Sequence, residues 1–132
     1  MDEERIVDPV SQVELVVPVH ATSEQVIRRE ALRRDGQLRE IRFFPDWGHA
    51  SGLWESSGDV QVLEPEDLRL SADLARAIEH WSQLWVNEFT PNMAWTSADL
   101  AESWRLEGDR LAARISAEVW HFAEVKASHR TY

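Results

Sequence analysis

The spacing of hydrophobic and polar positions changes period several times along the chain, and each change marks a predicted element. Residues 13–19, Val-Glu-Leu-Val-Val-Pro-Val, are rich in β-branched side chains and predict a strand. Pro18 places its end at an edge or terminus, because proline offers the ladder no donor. Thr22 and Gln25 then have the spacing of a capping box, and Val26, Ile27, Ala31 and Leu32 follow at helical spacing. Asp35 and Gly36 predict the stop, since glycine readily takes the left-handed conformation that ends helices. Over 38–44, Leu38, Glu40 and Arg42 alternate with Arg39, Ile41 and Phe43, which predicts a second strand. Strand, helix and strand within about thirty residues have the size of a βαβ unit, with an antiparallel arrangement as the alternative.

Proline, glycine and serine interrupt the pattern over 45–59 and leave Leu53-Trp54 as a short strand. Val60-Gln61-Val62 alternates and predicts another. Pro65-Glu66-Asp67-Leu68 predicts one helical turn with proline at its start. Ser71 caps a helix over 72–89 whose stripe is Leu74, Ile78, Trp81, Trp85 and Phe89. Thr90-Pro91-Asn92 ends it. A further helix starts at Thr96 or Ser97 and carries Leu100, Trp104, Gly108, Leu111 and Ile115 on one face. A glycine on that face predicts a close helix–helix contact or a bend. From Val119 to Lys126 the alternation of Val119, His121, Ala123 and Val125 predicts a terminal strand. The order β-α-β-(β)-α-α-β predicts an α+β fold: a small mixed sheet with about three helices packed mainly on one face. Residues 1–12 are expected to be a polar N-terminal tail and 13–132 a single domain.

Composition narrows the functional classes. The 132 residues suffice for a substantial core, and 43% hydrophobic with 29% charged residues is ordinary for a globular protein. There is no apolar run of membrane-spanning length and no apolar leader after the acidic N-terminus, so a soluble, cytoplasmic protein is expected. Without cysteine there is no disulfide, thiol chemistry or cysteine-ligated zinc. A formal net charge of −10 disfavours nucleic acid and anionic membranes and favours a basic partner.

No segment carries a strong catalytic or cofactor signature. Asp46, His49 and Ser51 lie within one short loop, where triad geometry is hard to reach, and no nucleophile elbow is present. The histidines at 20, 49, 80, 121 and 129 do not show the paired helical spacing of a zinc site. His80, beside the stripe of its helix, is expected at the surface. Acid pairs such as Asp99 and Glu102 read as complements to helix dipoles. Phosphate-binding glycine motifs are absent, and Arg28, Arg29, Arg33 and Arg34 are interrupted by acids. Neither a cofactor nor a metal is expected.

The segment 43–55, Phe-Phe-Pro-Asp-Trp-Gly-His-Ala-Ser-Gly-Leu-Trp-Glu, is the most unusual. Pro45, Asp46, Trp47, Gly48, Leu53 and Trp54, then Leu68, Leu70 and Ser71 before a helix, then Glu107, Gly108 and Leu111, form a pattern. It resembles that of a group of small uncharacterised bacterial proteins. In them a P-D-Y/W-G…L-W segment precedes a capped helix, and an E-G-x-x-L helix and a short strand follow. The resemblance spans roughly 41–126, leaves a longer N-terminal portion outside, and implies a compact fold with no assigned activity.

Residues 43–68 hold six acids, Asp46, Glu55, Asp59, Glu64, Glu66 and Asp67, and no lysine or arginine. The same stretch carries Trp47 and Trp54. An acidic rim around aromatic anchors predicts a docking surface, with charge steering the encounter and the aromatics holding it. The first reading is therefore a non-enzymatic binding protein of immunity or inhibitor type. Its expected binding residues are Asp46, Trp47, His49, Trp54, Asp59, Glu64, Glu66 and Asp67, and its expected partner a basic protein such as a nuclease-like toxin. The alternative is a small-molecule-binding or hydrolytic domain using Asp46, Trp47, His49 and Trp54. A third reading is self-association through an aromatic patch.

Overall fold

The computed structural model describes residues 3–49, 51–56 and 61–132. Its centre is a sheet of four strands: β3 (Arg39–Phe43), β4 (Leu53–Glu55), β5 (Gln61–Leu63) and β8 (Ala123–Ala127), in the order β5-β4-β3-β8. β3, β4 and β5 form an antiparallel meander, while β8 lies parallel to β3, so the sheet is mixed. Two long helices, α2 (Ala72–Glu88) and α3 (Ala98–Val119), make the crossover that returns the chain to β8. Pairing of Ile41 with Val125 and Phe43 with Leu53 sets the register. It puts Ile41, Phe43, Leu53, Leu63 and Ala123 on the face that meets the helices. Glu40, Arg42, Trp54 and Lys126 fall on the other. This is the expected α+β architecture.

The helices form where capping and stripe agree. Ser71 and Ser97 each accept a hydrogen bond from a first-turn amide, that of Leu74 and of Leu100. Leu74, Ile78, Trp81 and Trp85 of α2 and Trp104, Leu111 and Ile115 of α3 are all essentially buried. At their crossing Trp81 and Trp104 stack at 4.3 Å, nearly parallel. Each indole Nε1–H donates to the other residue's carbonyl, at 2.9 and 3.1 Å. Both polar tips are thereby satisfied inside the core.

Gly108 sits beside this pair. A Cβ there would lie 2.5 Å from His129 Cδ2 and 2.9 Å from Trp81 Cζ2, so only glycine lets these rings approach α3. His129 is fully buried in a C-terminal turn of 3-10 helix, His129–Thr131. Its Nε2 is 2.9 Å from Asp109 Oδ1 and 3.1 Å from the Arg105 carbonyl, two acceptors that assign the proton to Nε2. The close contact predicted at Gly108 is thus made with Trp81 of α2 and with the chain end.

Several boundaries differ from expectation. β1 (Glu4–Val7) lies within the stretch expected to be a polar tail and pairs antiparallel with β2 (Glu14–Val17), with Ile6 opposite Leu15. β2 does not join β3. The two form separate sheets, so α1 (Ser23–Arg34) is not the crossover of a βαβ unit. The turn joining β1 to β2 is pinned by buried Asp8, which accepts from Ser11 Oγ at 2.6 Å and pairs with Arg34 at 3.0 Å. The capping box of Thr22 and Gln25 is present. The predicted terminal strand begins later, because α3 continues to Val119 with no helix breaker to stop it. The break after α2 is a tight hairpin, β6 (Phe89–Thr90) with β7 (Ala94–Trp95). Of the predicted strand at 60–62, Val60 lies outside the described residues.

Candidate functional site

The turn between β5 and α2 organises the surface that the sequence marked as acidic. Pro65–Leu68 is a single turn of 3-10 helix. The Glu64 amide donates to Asp67 Oδ2 at 2.8 Å, and Leu68 is buried and anchors the turn. Arg69 closes the turn in the left-handed conformation, with φ 55°, and its amide donates to the Glu66 carbonyl. The Leu70 amide then donates to the Pro65 carbonyl at 3.1 Å, and Ser71 caps α2 directly after the turn.

Between this turn and α2 lies a groove of about 560 Å³. Glu64, Pro65, Glu66 and Leu70 line one side, and Ala75, Arg76 and Glu79 the other. Ala72 and Ala75, small and one turn apart, leave the space open. Arg76 is paired with Asp73, so its charge is compensated. Glu64, Glu66 and Glu79 form no ion pair among the described residues. The groove is therefore acidic, and it has an apolar lining in Leu70 and Ile78.

The remaining expected site residues are dispersed. Asp67 belongs to the turn but faces away from the groove, and its carboxylate is engaged as the cap on the Glu64 amide. Asp59 lies outside the described residues. Glu55, counted in the acidic stretch, is buried and held by Arg39 Nε and Nη2 at 2.6–3.1 Å, an internal fork rather than a rim charge. Asp46 folds its own loop: Oδ2 accepts from the Gly48 amide at 3.2 Å, and a bridge joins Asp46 to His49. Ser51 Oγ accepts from the Leu53 amide.

The two tryptophans of the loop part company. Trp47 lies on Trp85 at 4.3 Å and on Phe89, and keeps 46% of its surface open, so it extends the core aromatics of α2 towards solvent. Trp54 is on the opposite face of the sheet, stacked on Phe44 at 5.0 Å and met edge-on by His49 at 5.6 Å. Its Nε1–H donates to the Phe44 carbonyl. His49 is bridged to Asp46 and meets Trp54, whereas Trp47 turns to the helix side of the sheet. Among the described residues no group of three or more His, Asp or Glu could hold a metal.

Glu79 and Arg76, which complete the groove, were missed from sequence. The available signal was the Ala72, Ala75, Glu79 spacing on the face of α2 flanking its apolar stripe. Gly108 and His129 share a packing role.

An α+β protein with an acidic groove beside a short turn is therefore in hand. The sequence model described as Serratia CdiI immunity protein-like matches residues 39–128, and the chain belongs to that family. The match runs from the first residue of β3 to just past β8, so it takes in the whole four-stranded sheet, α2 and α3. β1, β2 and α1 precede it. No curated protein matches the chain. No helix among the described residues is long and apolar enough to cross a membrane.

Proposed function

We propose that this protein is a non-enzymatic immunity protein that binds and neutralises a protein toxin, using the acidic groove to receive a basic surface of that toxin. Membership of the immunity protein-like family supports the class of function. The observation that carries the finer reading is the convergence of Glu64, Glu66 and Glu79 without cationic partners among the described residues, around an apolar strip. Like charges are costly to gather on one surface, and they suit a partner that brings the opposite sign. Half-exposed Trp47, backed by Trp85, is a rigid aromatic of the kind that anchors interfaces.

The test is to capture partners with the parent protein and with Glu64→Lys/Glu66→Lys/Glu79→Lys. Any protein retained by the parent is then expressed in cells with each form. The expected result is a basic protein that arrests growth, is silenced by the parent, and binds the variant roughly 10–100-fold more weakly. Stability of the variant should stay within about 0.5 kcal/mol of the parent, because these are surface changes. Equal capture and equal protection by the two forms would sink the acidic-groove reading. A captured protein that is harmless would sink the immunity reading.

A further inference from the structure

We infer that the acidic groove continues along α2 into an apolar shelf built by Trp47 and Val86, and that its occupant is a segment of the toxin carrying Lys or Arg side chains and, about 10 Å further along, a bulky apolar side chain. The inference rests on the toxin-binding reading above and adds to it the order and spacing of the partner's side chains.

Helix geometry sets the spacing. Glu79, Gln83 and Val86 are all exposed and stand at four- and three-residue intervals, so they lie on one strip of α2. Glu79 belongs to the groove, and Val86 follows it by two turns, about 10 Å along the axis. The loop between β3 and β4 walls the same strip. Ser51 lines the groove together with Ile78. Gly52 lies against Ser82, where a Cβ on the glycine would be 3.6 Å from Ser82 Oγ. Trp47 packs on Trp85 at 4.3 Å and on Phe89. The turn with Glu64 and Glu66, then Ser51, then Trp47 thus meet α2 in that order from its N-terminal end.

Charge and apolarity divide along this strip. At the near end Glu64, Glu66 and Glu79 have no cationic partner among the described residues, since Arg76 is taken by Asp73. Past Glu79 the strip is uncharged, with Gln83, then Val86 at 37% exposure and Trp47 at 46%. A wholly basic partner would leave Trp47 and Val86 in contact with water. A partner with an apolar side chain beyond its cations covers both: the cations steer the encounter, and the apolar contact slows release. Trp47 rests on two buried rings, so covering it costs little side-chain freedom. About two turns of helix or three extended residues span the distance, which a polypeptide segment supplies.

Peptides of defined order test this by calorimetry or fluorescence anisotropy: hexalysine, and two chimeras that join Leu-Phe to one or the other end of hexalysine through Gly-Gly. The chimera whose order matches the strip is expected to bind the parent about tenfold more tightly than hexalysine. Val86→Ser and Trp47→Ser should each remove most of that gain. Both should bind hexalysine as the parent does, which also shows that they are folded. Leu106→Ser, which removes an exposed apolar side chain of α3, should keep the gain in full. Glu64→Lys/Glu66→Lys/Glu79→Lys should weaken all three peptides. Chimeras no tighter than hexalysine, a gain that survives in the Val86 and Trp47 variants, or a gain lost equally in Leu106→Ser each overturn the inference and leave the acidic groove standing. Failure of hexalysine to bind the parent removes the groove and the inference together.

Discussion

Residues 39–128 are packed around stacked indoles, whereas residues 3–37 are held mostly by polar ties. In the first region Trp81, Trp85 and Trp104 are each 1% exposed; Trp81 stacks on Trp104 and Phe43, both Trp81 and Trp104 meet His129, and Trp85 stacks on Phe89. In the second, α1 buries a single residue, Val26. It docks through Arg29, whose guanidinium donates to the Trp120 carbonyl and to that of Ala123 at 2.7 Å and lies over the Trp120 ring. Buried Asp8 then ties the hairpin of β1 and β2 to Arg34 of α1. The difference teaches where cooperativity resides. Aromatic packing is lost all at once, because each ring supports several others. Polar ties at an edge can open one by one, which gives local rather than global unfolding.

Gly108→Ala should break the first region hardest. Alanine ordinarily favours a helix by about 0.5–1 kcal/mol over glycine. Here its Cβ would meet buried rings at 2.5–2.9 Å. Overpacking of that kind costs about 1–3 kcal/mol or more, so the net effect is destabilising. A lowered urea midpoint with an unchanged slope would bear this out. A more stable protein would show that His129 moves freely and that the packing is looser than described.

Arg29→Ala addresses the second region. Burial lowers the Arg29 pKa, with nearby Glu124 opposing the shift, and a guanidinium is basic enough to keep its proton in a folded protein. Removing it leaves two carbonyls without their donor, a loss of about 1–3 kcal/mol for hydrogen bonds to a charged group. Amide exchange in α1 should accelerate about tenfold or more, while the amides of α3 exchange as in the parent. Equal acceleration throughout would mean that the two regions unfold as one.

The smallest effect expected is a pH dependence confined to the hairpin. The Ser11 hydroxyl, then backbone amides and Arg34, hold the Asp8 carboxyl below its ordinary value, against the opposing effect of burial. A carboxyl depressed by folding stabilises fully above the ordinary carboxylate range. That contribution disappears as pH falls through the range and below it. Protection of the hairpin amides, taken relative to the intrinsic exchange rate at each pH, should therefore fall on acidification in the parent and stay flat in Asp8→Asn. A parent hairpin indifferent to acid would remove Asp8 from the account.

Much of the larger architecture was legible because it rests on local rules. The capping box at Thr22 and Gln25, the serine caps at 71 and 97, and the apolar stripes of α2 and α3 depend on residues a few positions apart. What failed depended on distant partners. β2 and β3 look alike as isolated strands, yet β3 pairs with β8 from the far end of the chain, and β2 with a strand inside a polar segment. The acidic stretch shows the same limit. Glu55 and Glu64 are equivalent in a charge count, but one is buried against Arg39 and the other lines an open groove.

The sequence by itself determined the α+β class, the helix boundaries set by caps, the tryptophan core and the excess of acid over 43–68. These follow from local hydrogen bonding and from the period of apolar side chains, which any neighbouring residues can read. Only the tertiary structure decided which acids remain without a cationic partner, that Trp47 and Trp54 lie on opposite faces, and that Gly108 exists to admit His129 and Trp81. Those depend on which distant side chain arrives opposite each group, and burial and pairing are properties of that arrival rather than of the residue.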